Sequence, residues 1–144
     1  MEKDCGMWIN ILSRKIKKRM NANMQDLGLT GMQSRVMHYI LVKCADGPVF
    51  QRDVESAFGM SRSTATGILQ LMEKNGFIYR ESVEKDARLK RIVPTKKAEA
   101  LRPSILYHIN ESEAQMTQGI SKKDVAVCKQ VLLQMLQNLS ENKL

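Results

Sequence analysis

Two amphipathic segments meet across Gly59-Met60-Ser61, and this junction restricts the fold more than any other feature of the chain. Before it, Val54, Ala57 and Phe58 recur at helical spacing over about 51–58 as the inward side, and Gly59 stops that helix as a C′ glycine does. After it, Ser61 caps a helix that runs to about Asn75, with Ile68, Leu69, Leu71 and Met72 inward and Gly76 as terminator. Two helices joined by so short a turn form a helix-turn-helix unit.

The flanking segments are also helical. Met7, Trp8, Ile11, Leu12, Ile16 and Met20 mark a first helix over roughly 6–25, whose other face carries Arg14, Lys15, Lys17, Lys18 and Arg19. That basic run reads either as a targeting signal or as the solvated face of an amphipathic helix, which needs no function. Thr30 caps a second helix with Met32, Val36, Met37, Ile40, Leu41 and Cys44 as its apolar stripe, ended by Asp46-Gly47-Pro48. Thr95 opens a long fifth helix through about Gly119, which Pro103 should kink. Ser121 opens a sixth, with Val127, Val131, Leu132, Met135, Leu136 and Leu139 on one face.

One segment breaks this pattern. ESVEKDARLKRIV, residues 81–93, is densely charged and flanked by the strand-like runs Phe77-Ile78-Tyr79 and Ile92-Val93, with the second strand ending at Pro94. A charged β-hairpin directly after a helix-turn-helix is the wing of a winged helix. The expected fold class is therefore mainly α with a small β-wing and six helices, as one domain or two small lobes sharing a core.

Charge narrows the function. The net charge is +8, with ten basic against six acidic residues over 51–97 and five of each from 98 onward. A localised basic excess suits a polyanion, with nucleic acid the default partner. No apolar run approaches a membrane span and the N-terminus lacks the pattern of a signal peptide, so the expected location is the cytoplasm, with no membrane partner. Cys5, Cys44 and Cys128 lack CxxC spacing, which argues against disulfides and zinc knuckles; Cys44 and Cys128 read as buried reduced thiols. His38 and His108 are the only histidines, and Glu111 one turn from His108 gives at most a partial metal site. No Ser/His/Asp spacing, P-loop or GxGxxG is present, so no enzyme and no cofactor are expected.

The candidate binding chemistry lies on the fourth helix and the wing. Ser61-Arg62-Ser63-Thr64-Ala65-Thr66-Gly67 offers small, hydrogen-bonding positions and one arginine, as a helix entering a major groove requires. Ser61, Arg62, Ser63, Thr64 and Thr66 are the expected DNA contacts, although the same stretch also reads as an ordinary Ser/Thr-rich helix start. In the wing, Arg88 is the natural tip for a minor groove, and Asp86 can brace its guanidinium in a bidentate pair. Lys85, Lys90 and Arg91 are expected to face phosphates.

This order of elements resembles the MarR family of transcription regulators over nearly the whole chain. Residues 61–98 carry the most specific likeness: Ser61-Arg62-Ser63-Thr64 resembles the family's recognition-helix start, Glu73-Lys74-Asn75-Gly76-Phe77-Ile78 its helix end, and Asp86-Ala87-Arg88 its D-x-R wing. Pro94 and Ala98 depart from the usual leucine and glycine. The resemblance implies a homodimer, with residues 1–45 and 95–144 as a helical dimerisation region and 46–94 as the DNA-binding lobe. It also implies a palindromic operator, repression as the commoner mode, and release by a small aromatic or anionic effector. The apolar stripes of the terminal helices, in so short a chain, independently call for a partner.

Trp8, Ile11, His38 and Arg14 are the candidates to line an effector cleft; the competing reading makes Trp8 and Ile11 dimer core and His38 an interior histidine. Cys5 raises a thiol-based oxidant sensor of the same fold, although the first helix lacks the tyrosines that support such thiolates in relatives. From another class, a helical adaptor could use its basic face on a protein or lipid, but it leaves the wing without a role.

Overall fold

The computed structural model describes residues 1–83 and 85–140, so Glu84 of the charged hairpin and the last four residues lie outside the description. Among the described residues the chain forms α1 (Cys5–Met24), a 3-10 turn (Gln25–Leu27), α2 (Gly31–Lys43), α3 (Gln51–Phe58) and α4 (Arg62–Lys74). The hairpin β1 (Ile78–Val83) and β2 (Asp86–Pro94) follows, and then α5 (Lys96–Met116) and α6 (Lys122–Leu139). The chain divides into two compact units, Met1–Asn110 and Glu111–Leu144.

Helix starts follow local capping chemistry. The Asp4 carboxylate accepts from Met7 N at 2.9 Å. At α2 the box is reciprocal: Thr30 Oγ1 accepts from Gln33 N at 3.1 Å, while Gln33 Oε1 accepts from Thr30 N at 3.0 Å. Ser61 and Ser121 cap α4 and α6 through Thr64 N and Asp124 N. Thr95 does more than cap. Its hydroxyl accepts from Ala98 N at 3.3 Å and donates to Gly76 O at 2.7 Å, pinning the start of α5 to the end of α4. Helix α5 ends at Met116, short of the expected Gly119, and runs on through Pro103.

In the first unit, α1, α2, α3, α4, the hairpin and the start of α5 enclose one core. Met24, Val36, Met37, Ile40, Leu41, Val54, Leu69, Met72, Phe77, Ile78, Ile92 and Ile105 are all buried in it. Strands β1 and β2 pair antiparallel, with Ile78 opposite Pro94, Arg80 opposite Ile92 and Glu81 opposite Arg91; the register shifts between Ser82 and Val83. Both strands therefore run well into the charged segment. Val49 adds a single bridge on the far edge of β2, where Ile92 N donates to Val49 O at 2.7 Å.

Several inward assignments fail. On α4 the buried positions Ala65, Leu69 and Met72 follow i, i+4, i+7, which turns Leu71 outward to 50% exposure. Ala57 and Met32 are likewise exposed, and α2 instead buries Gln33 and Ser34, whose polar groups the capping box and Gly31 O satisfy. Cys128, expected to be buried, is exposed on α6, and Cys44 is half-buried.

Candidate nucleic-acid interface

The first turn of α4 is fixed at its base and free at its tip. Buried Ala65 anchors the turn while Ser61, Arg62, Ser63 and Thr64 stand in solvent. Ser61 Oγ lies 3.0 Å from Thr64 Oγ1 and 3.2 Å from Ser63 Oγ, so the three hydroxyls form one local cluster. Thr66 is half-buried and differently engaged: its Oγ1 accepts from Gln51 Nε2 at 2.9 Å. The same amide nitrogen lies 3.1 Å from Glu55 Oε2 and 3.3 Å from Arg62 O, so Gln51 ties the start of α3 to α4. A Cβ at Gly67 would meet nothing within 4 Å, so packing within the chain does not require its missing side chain.

Strand alternation sorts the wing side chains. Residues 78, 80 and 82 of β1 share a face with 94, 92 and 90 of β2, and buried Ile78 and Ile92 make this the inward face. Lys90 therefore belongs to the inward side beyond the core, whereas Arg91 belongs to the outward side. There Arg91 meets its direct cross-strand partner Glu81, Nη2 to Oε1 at 2.6 Å, so this expected phosphate ligand is engaged in an ion pair. Asp86 meets Arg88 in a different manner from the expected bidentate pair. One oxygen, Oδ1, accepts from Arg88 N at 2.9 Å and lies 3.5 Å from its Nε, leaving the side chain 93% exposed.

A cleft of about 400 Å³ separates α3 and α4 from the hairpin. Arg62 and Thr66 of α4 line it together with Arg88 and Lys90 of the wing. Lys85, exposed near the tip, is not among its lining residues. Sequence reasoning missed Arg80, which also lines the cleft, and missed Gln51. The signal for Arg80 was present: two residues after Ile78 on a strand, it shares the face that must turn inward.

The effector candidates are dispersed. Trp8 is 57% exposed on α1, with Lys3 Nζ 5.1 Å from its ring centre; Ile11 and Arg14 are also exposed there. His38 is half-buried and lines a separate hollow of about 250 Å³ with Arg35, Tyr39 and Phe58, which includes none of those three α1 residues. Burial, and then the Arg102 and Arg35 charges, hold its pKa below the usual histidine value. Cys5 is exposed at the first position of α1. Among the described residues no group of three or more His, Cys, Asp or Glu side chains could hold a metal, and no helix is long and apolar enough to cross a membrane.

Known proteins decide the family. The sequence profile of the MarR family matches residues 27–89. The crystal structure of the transcription regulator MarR from Oenococcus oeni PSU-1 is similar over 93% of this chain and 99% of its own, at 34% identity and a TM-score of 0.81. The chain belongs to the MarR family. Among curated relatives, the HTH-type transcriptional regulator YwoH of Bacillus subtilis (strain 168) is 32% identical over 63% of this chain. The chain spans 64% of that relative's length. The S. aureus MepR–DNA complex covers 96% of this chain and 100% of its own with a TM-score of 0.87, and at 22% identity it speaks for the fold alone. On this MarR-family fold α3 and α4 form the helix-turn-helix and β1–β2 the wing.

Proposed function

We propose that the protein is a sequence-specific DNA-binding transcriptional regulator that acts in the cytoplasm as a homodimer on a palindromic operator. The observation that carries this reading is the shared basic cleft, where Arg62 and Thr66 of α4 meet Arg88 and Lys90 of the wing. A duplex presents a groove edge to one and a phosphate backbone to the other, and a helix and wing at one site can engage both. That the MepR relative of the same fold was solved on DNA supports the reading.

Dimerisation rests on apolar surface. Trp8, Ile9 and Leu12 on α1 are exposed, as are Val131, Leu132 and Leu136 on α6. Faces of this kind are costly in water, and a second copy related by a two-fold axis covers them while setting two half-sites one helical turn apart. Repression with release by a small aromatic or anionic effector completes the proposal, His38 and its hollow being one candidate site and Trp8, Ile11 and Arg14 on α1 another.

Replacement of Arg88 by alanine tests the wing contact. Affinity for a duplex that the protein selects from a random pool falls by about 1–3 kcal/mol while the thermal midpoint is unchanged, because the side chain is 93% exposed and its ion pair is with Asp86 in the same hairpin tip. Equal affinity of wild type and variant by anisotropy contradicts the contact. Replacing Arg62 or Thr64 changes which sequences a repeated selection returns.

A further inference from the structure

Arg80 occupies a position that strand chemistry reserves for an apolar residue. It lies directly opposite Ile92, which is 2% exposed, and two residues from Ile78, which is equally buried. Its stem thus belongs to the inward face of the hairpin, at the margin where the core gives way to the cleft. Among the described residues the buried Nε atom has no hydrogen-bond partner, and none of the ion pairs uses this guanidinium. A buried guanidinium N–H without an acceptor is costly and calls for an explanation, a missing anionic partner being one.

The surroundings specify that partner. Arg62, Arg88 and Lys90 line the same cleft, and its carboxylate, Glu55, is within 3.1 Å of the Gln51 amide. Several cations facing one hollow favour an oxyanion, and a guanidinium fork matches phosphate oxygens with two parallel bonds. Arg62 on one wall and Arg88 on the other belong to the elements already assigned to the duplex, so a backbone strand passing between α4 and the wing lies over Arg80.

We infer that Arg80 binds a DNA backbone phosphate at the junction of α4 and the wing, as a sequence-independent anchor for both. This rests on the DNA-binding reading above and adds a residue to it. The anchor sets affinity and salt dependence but carries no sequence choice, unlike Arg62.

Anisotropy titrations across a KCl series, with a self-selected duplex and an unselected one of equal length, test the inference. In Arg80→Gln the log–log salt slope becomes shallower by about 0.9, the contribution of one phosphate, on both duplexes. Affinity drops by about tenfold on both, as for loss of one charged hydrogen bond, so the ratio between them is unchanged. Arg80→Lys keeps the charge and restores the slope. The inference is overturned if Arg80→Gln keeps the wild-type slope, whether or not affinity falls, since the residue then only supports the wing. It is also overturned if the ratio between duplexes changes, because Arg80 then reads bases, or if Arg80→Lys folds and has the slope of Arg80→Gln. Failure of the underlying reading looks different: wild type itself shows no preference for its selected duplex.

Discussion

His38 is a half-buried imidazole held below the usual histidine pKa by its surroundings. Burial first, then Arg102 and Arg35, disfavour its protonated form, and its Nδ1 is buried without a partner among the described residues. The unfolded chain takes up a proton on this imidazole near pH ~6.5, whereas the folded protein resists it to lower pH. The unfolded state therefore binds more protons in that window. The contribution of neutral His38 to stability is present above the unfolded value and is lost as pH falls toward the lowered folded one. Between about pH 7.5 and about pH 5.5 the thermal midpoint of wild type should fall further than that of His38→Gln. Parallel pH profiles for the two proteins would mean that the charged imidazole is tolerated where it stands.

At the scale of elements, what was legible in the sequence was local. Thr30, Ser61 and Ser121 announce their helices because a cap bonds a backbone N–H only three residues on. The helix-turn-helix and the wing followed from the same short-range chemistry. What was not legible depends on contacts between distant segments. The Val49 bridge to Ile92 and the Gln51 bond to Thr66 have no signature in either segment alone. In the candidate site, Arg62, Thr66, Arg88 and Lys90 were readable by residue type, but the Arg91–Glu81 pairing was not, since register sets it.

Gly31 makes the same point between helices. Its N–H donates to Asn21 Oδ1 at 2.7 Å, and a Cβ placed there would stand 2.5 Å from Met20 Cβ and 3.3 Å from the Met20 carbonyl carbon. Helices α1 and α2 can cross this closely only because residue 31 has no side chain. Gly31→Ala should therefore destabilise by about 1–3 kcal/mol, the usual cost of overpacking, measured as a lower urea midpoint at unchanged slope. A midpoint equal to that of wild type would show that the crossing relaxes freely.

On the scale of the whole molecule, exposed apolar surface is accompanied by basic charge on α1, where Trp8, Ile9 and Leu12 precede Arg14, Lys15, Lys17, Lys18 and Arg19, but not on α6. The excess of basic residues falls in the first two thirds of the chain, which includes the helix-turn-helix and the wing. The apolar stripe of α6 lies where basic and acidic residues balance. In the proposed dimer the apolar stripes of α1 and α6 are covered and the two helix-turn-helix and wing lobes are left for one duplex. Such a molecule gains affinity from phosphates and selectivity from the start of α4.

The most direct test of this account is the affinity of the intact protein for its self-selected duplex and for an unselected one, measured against KCl concentration. A DNA-binding regulator of this kind loses affinity steeply with salt on both, and prefers the selected duplex by about 10³ or more at physiological salt. Equally weak binding to both duplexes at that salt would contradict it.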